Sequence, residues 1–139
     1  MSNEIEAFYD DGNYLAGKST TIILGKTNIL KSITGLLNSR VCSFFVNSSY
    51  HSLKMAGGYI NIGTEILKSI PMPTIPEDIR IRLATYVDKI LAITKDADYL
   101  DNPVKQAQVR EYEKQIDRMV YDLYGLTEEE IKIVEGETK

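Results

Sequence analysis

The chain predicts an α+β fold: a small sheet-and-helix lobe over residues 1–75, then an antiparallel helical hairpin and a short C-terminal helix over 76–139. Three observations carry this. The β-branched run Thr20-Thr21-Ile22-Ile23-Leu24 stands between Gly17 and Gly25, as a buried strand does. Pro71, Pro73 and Pro76 make a stiff, extended connector. Beyond it, two apolar stripes at helical spacing flank a largely polar break at 96–101.

After the strand, Thr27 or Asn28 can cap a helix. Ile29, Leu30, Ile33, Leu36, Leu37 and Val41 form one apolar face, so a single helix is expected through Val41. Gly35 lies inside it. A glycine there costs roughly 1 kcal/mol against alanine, which a close packing contact explains. Asn47 to Gly58 is mostly polar, holds the single histidine, His51, and reads as a loop. Tyr59, Ile60, Asn61 and Ile62 form a second short strand. Thr64 caps a brief helix through Leu67, and Pro71 marks its limit.

The remainder is helical. Pro76 suits a first helical position, with Glu77 and Asp78 favourable in the first turn. Ile79, Leu83, Tyr86, Val87, Ile90 and Leu91 give that helix its stripe. Asn102 caps the next helix and Pro103 begins it. There Val109, Tyr112, Ile116, Met119 and Leu123 follow a coiled-coil-like spacing. Two such helices joined by a short polar loop form an antiparallel hairpin. Gly125 is the expected terminator, and Thr127 with Glu130 fits a capping box that opens the last helix.

Charge is unevenly spread. Residues 1–17 carry net −4, residues 18–95 net +6 and residues 96–139 net −6. An acidic total argues against a non-specific nucleic-acid binder, while the basic middle suits a local phosphate-binding face. The apolar runs are too short to span a membrane, and no secretory signal is evident, so a cytoplasmic setting is expected. Cys42 is the single cysteine, which excludes an internal disulfide and a multi-cysteine zinc site.

Several chemical motifs fail on context. Gly12-Asn13-Tyr14-Leu15-Ala16-Gly17-Lys18-Ser19 matches the phosphate-binding pattern G-x-x-x-x-G-K-[ST] letter for letter. That loop needs a helix after it, and here a strand-like run follows, with acidic Asp10 and Asp11 before it. Glu130-Ile131-Lys132 matches half of a metal-dependent nuclease site but lacks converging carboxylates. Asn102-Pro103-Val104-Lys105 lacks the second proline and the stacking ring of an adenine methyltransferase motif, so it reads as a helix start. No Gly-rich cofactor loop follows a strand. No catalytic residue, metal ligand or cofactor is expected, and the chain is not expected to be an enzyme on its own.

Three phrases occur in a fixed order: Gly35-Leu36-Leu37-Asn38-Ser39-Arg40-Val41, then Gly57-Gly58-Tyr59-Ile60-Asn61-Ile62 closing on Ile70-Pro71-Met72-Pro73, then Val120 to Glu130 with Leu123-Tyr124-Gly125-Leu126-Thr127 at its centre. Together they resemble the C-terminal target-recognition region of type II (type IIG-like) restriction-modification adenine methyltransferases, over roughly residues 14–135. The resemblance implies a module that selects a DNA sequence and positions a separate methyltransferase or endonuclease domain, in the same or a partner chain. The partner it implies is double-stranded DNA, with no membrane. The groups suited to reading DNA are Lys18, Lys26, Arg40, Asn47, Ser48, Ser49, His51, Lys54, Tyr59 and Asn61. The acidic segment after residue 95 is expected to pack on the rest of the enzyme. A second function remains open: docking or homodimerisation through the helical hairpin.

Overall fold

A computed structural model describes residues 5–17, 20–51 and 62–136. The helices are α1 (Thr27–Leu37), α2 (Arg40–Ser49), α3 (Thr64–Ser69), α4 (Glu77–Thr94), α5 (Pro103–Tyr124) and α6 (Glu128–Val134). A short 3-10 turn at Tyr99–Asp101 joins α4 to α5.

The α+β expectation is overturned, because the described residues contain helices and no strand. The Thr20–Leu24 run is in neither helix nor strand and is largely exposed: Ile22 is 62% and Leu24 90% exposed. β-branched residues suit a pleated strand, yet a strand needs a neighbour to pair its backbone and its side chains. Among the described residues none is supplied. Thr21 Oγ1 donating to the carbonyl of Ile62 at 3.1 Å is the tether there. Of the second expected strand, Tyr59, Ile60 and Asn61 lie outside the described residues, and Ile62 is not in a strand.

The single helix expected through Val41 is two. Asn38 closes α1, and Ser39 adopts extended backbone and caps α2, its Oγ accepting the Cys42 N–H at 3.5 Å. Ser39 Oγ also donates to the Leu36 carbonyl at 2.6 Å, so one buried hydroxyl serves both helix ends. Neither Thr27 nor Asn28 caps α1. Lys26 holds that position without a side-chain bond. Asn47, Ser48 and Ser49, expected in a loop, extend α2.

The N-terminal segment is clamped rather than paired. The Ala7 N–H donates to Asn38 Oδ1 and the Asn38 amide donates to the Ala7 carbonyl, both at 2.8 Å. Ile5 N–H donates to Ser43 Oγ at 2.9 Å, which carries the Ile5 side chain into a core with Leu36, Leu37, Cys42, Val46, Ile66 and Ile70.

A second core joins Leu83 and Val87 of α4 to Ile116, Met119 and Val120 of α5. Tyr86 meets Tyr112 with ring centroids 5.9 Å apart, the register of an antiparallel hairpin. Asn102 caps α5 through the Lys105 N–H at 3.2 Å, and Pro103 is its first residue. Gly125 ends α5 in the left-handed region at φ +66°, where a side chain is strained. The Thr127–Glu130 capping box is present, at 3.2 Å and 2.8 Å. Ile75, on the proline connector, touches both cores.

Candidate nucleic-acid interface

The polar groups expected to face DNA are distributed over two helices and the chain beyond. Lys26 is exposed at the start of α1. Arg40 is the exposed first residue of α2. Its backbone N–H donates to Asp117 Oδ1 at 2.9 Å, and its Nε lies 3.7 Å from Asp117 Oδ2. Asp117 therefore caps α2 from α5 and holds the guanidinium stem while leaving the side chain half exposed. Local spacing carries no sign of this link, because Arg40 and Asp117 are 77 residues apart.

Asn47 is half-buried, and its amide donates to the Ser43 carbonyl at 2.9 Å, which commits part of it to its own helix. Ser48 and Ser49 are exposed at the end of α2, and His51 is exposed just beyond them. Lys18, Lys54, Tyr59 and Asn61 lie outside the described residues. The structure thus brings Arg40, Asn47, Ser48 and Ser49 onto one helix with His51 at its end, and puts Lys26 on a different one. Arg40, Phe44 and Ser48 follow each other at four-residue spacing, so they share one exposed edge about 12 Å long. Phe44 was not singled out from sequence, although this spacing marks it once α2 is known.

The edge borders a groove of about 540 Å³ between α2 and α6, into which Ser48 and Ser49 also open. Cys42 and Tyr124 line it as well. Burial pushes the Cys42 thiol up, opposed by its bond to Ser39 and then by Tyr124. Burial likewise raises Tyr124, whose hydroxyl donates to the Pro71 carbonyl at 2.5 Å. Tyr121 is raised first by burial and then by Asp117, and its hydroxyl donates to Glu135 at 3.1 Å. These neutral, bonded phenols and thiol act as structural groups under the α2 edge.

The Gly12 loop is occupied by its own aspartate. Asp10 Oδ1 accepts the N–H groups of Gly12 at 2.9 Å and Asn13 at 3.0 Å, so those donors are not turned to a phosphate. Residues 20–26, beyond it, are not helical. Glu130 is engaged in the capping box, and Asn102 in capping α5. Among the described residues, no group of three or more His, Cys, Asp and Glu side chains is placed to hold a metal ion, and no helix is long and apolar enough to cross a membrane.

The exposed groups on α2 are hydrogen-bond donors and a cation, the types that engage phosphate oxygens and the acceptor edges of bases. Comparison with curated proteins and with solved structures found no match. Comparison with protein families found one: the model of the TaqI-like C-terminal specificity domain matches residues 1–72, which include every residue of the first core. The match covers more than half of the chain and includes the first of the three phrases and the second as far as Met72, and on that ground the chain belongs to the TaqI-like C-terminal specificity domain family.

Proposed function

We propose that this chain recognises a DNA sequence for a restriction-modification enzyme and positions a separate methyltransferase or endonuclease domain on the site. The observation that carries the reading is the family match over residues 1–72. Residues 1–75 form the recognition lobe and residues 76–139 its helical support. The fully buried members of the two cores lie on opposite sides of the proline connector, which supports that division, while α1 packs across it onto α4. The module itself is non-catalytic. Lys26, Arg40 and His51 approach the phosphates, and base reading falls to the polar stretch that continues through Lys54, Tyr59 and Asn61.

Hairpin-mediated docking loses its main support. Of the expected seam, Val109, Ile116 and Met119 are buried within the chain and Tyr112 and Leu123 are partly buried. The DNA reading is tested with fluorescently labelled duplexes. The expected result is binding whose logarithmic affinity falls linearly with the logarithm of salt concentration, and which Lys54→Glu weakens. Absence of binding at low salt, in this chain and in the assembled enzyme alike, overturns it.

A further inference from the structure

We infer that the groove between α2 and α6 is the docking site for an amphipathic helix that carries a cationic flank and belongs to the catalytic part of the enzyme. This rests on the reading of the chain as a module that holds such a part.

The groove is walled by Val41, Phe44 and Phe45 of α2 and by Ile133 and Val134 of α6, with Ile70 at its base. Phe44 is 39% and Ile133 50% exposed, so each wall presents a large apolar side chain that the described residues do not cover. A concavity of about 540 Å³ between two helices fits the apolar face of a third, read as anchors at i, i+3 or i+4, and i+7. Exposed apolar surface concentrated in one concavity marks an interaction site, unlike apolar residues scattered singly.

Charge decides the occupant. Glu130 is the charged residue of the lining. The segment that carries it, 127–135, holds Glu128, Glu129, Glu130 and Glu135 against the single base Lys132. Only one carboxylate oxygen of Glu130 is used by the Thr127 N–H, at 2.8 Å. An acidic rim repels the phosphate backbone and attracts a lysine or arginine beside the apolar anchors. DNA therefore lies elsewhere, and Ser48 and Ser49, which open on the groove, meet the docked helix. The groove also spans the two halves of the chain, from α2 inside the family match to α6 outside it. A helix seated there contacts the recognition lobe and its helical support together.

The test uses the full chain and three synthetic helical peptides of about 16 residues. One presents a leucine stripe flanked by lysines, one the same stripe flanked by glutamates, and one the lysine composition with its leucines scrambled. The lysine-flanked stripe is expected to bind best. Ile133→Asp and Phe44→Ser should each weaken it by about tenfold or more, and Glu130→Gln, which keeps the capping box, by a few-fold. Thermal melting confirms that each variant is folded. Ile133→Ser replaces any variant that is not. Equal binding of the scrambled peptide, binding unchanged in folded groove variants, or a groove-dependent dimer of the chain in sedimentation each overturns the proposal. Duplex binding is measured on the same samples. Peptide binding by the wild-type chain, with no duplex binding at low salt by either the chain or the assembled enzyme, sinks the recognition reading, whereas duplex binding without peptide binding sinks the docking site alone.

Discussion

Gly35 packs directly against Val87: a β-carbon built on Gly35 falls 3.3 Å from Val87 Cγ2 and 3.7 Å from Ile116 Cγ2. The contact seats α1 on the α4–α5 hairpin, and it explains a glycine in mid-helix. The loss of helix propensity, about 1 kcal/mol, is exchanged for close approach of three helices. Gly35→Ala is expected to be nearly neutral in urea denaturation, since propensity gain and crowding oppose each other. Gly35→Val is expected to destabilise by about 1–3 kcal/mol, and less so when Val87→Ala is added. Additive costs in the double variant would contradict the contact.

Arg40 is expected to contribute to DNA affinity through charge. Arg40→Gln should weaken duplex binding about equally across sequences and reduce the magnitude of the salt slope by about one. A loss confined to one sequence would instead make Arg40 a base reader. Binding unaffected at every salt concentration would remove it from the interface.

The start of α6 depends on a local device. Thr127→Ala removes the hydroxyl that accepts the Glu130 N–H and is expected to cost about 1 kcal/mol. Thr127→Ser should retain most of that stability. The denaturation midpoints of the two variants distinguish the hydroxyl from the methyl group.

The turn between α4 and α5 should respond to acid. Lys105 Nζ lies 2.5 Å from Asp98 and 2.8 Å from Asp96. Lys105, then Asn102, holds the Asp98 carboxyl below its ordinary range. A carboxyl lowered by folding stabilises above its unfolded pKa, and the contribution disappears as pH falls through the folded value. The stability gap between wild type and Asp98→Asn should therefore be present at neutral pH and close in acid, below the ordinary carboxylate range. The pair is exposed, so the gap is small and should shrink further in high salt. A gap that widens in acid would contradict the assignment.

Much of this architecture is local and was readable. The stripes on α4 and α5, the Asn102 cap with Pro103, the Gly125 terminator and the Thr127–Glu130 box each lie within a few residues of the bonds they predict. The first phrase, and the second as far as Met72, likewise lie within the family match over residues 1–72. The candidate interface was legible only as residue types. Composition reads Asn47, Ser48 and Ser49 as part of a loop, and the structure puts them on α2, with Ser48 and Ser49 lining an apolar groove.

What the sequence determined by itself was whatever a helix decides within one or two turns: where it caps, where it stops and which face is apolar. What the tertiary structure alone decided was longer in range. Ser39 divides one apolar stripe into two helices because the bend lets Leu36, Leu37, Cys42 and Val46 share a core with Ile5 and Ile70. Thr20–Leu24 has the composition of a strand and does not become one, because a strand is completed by a partner's backbone and not by its own side chains. Arg40 is held by an aspartate from a different helix. Such pairings are set by packing between distant segments, and no local spacing encodes them.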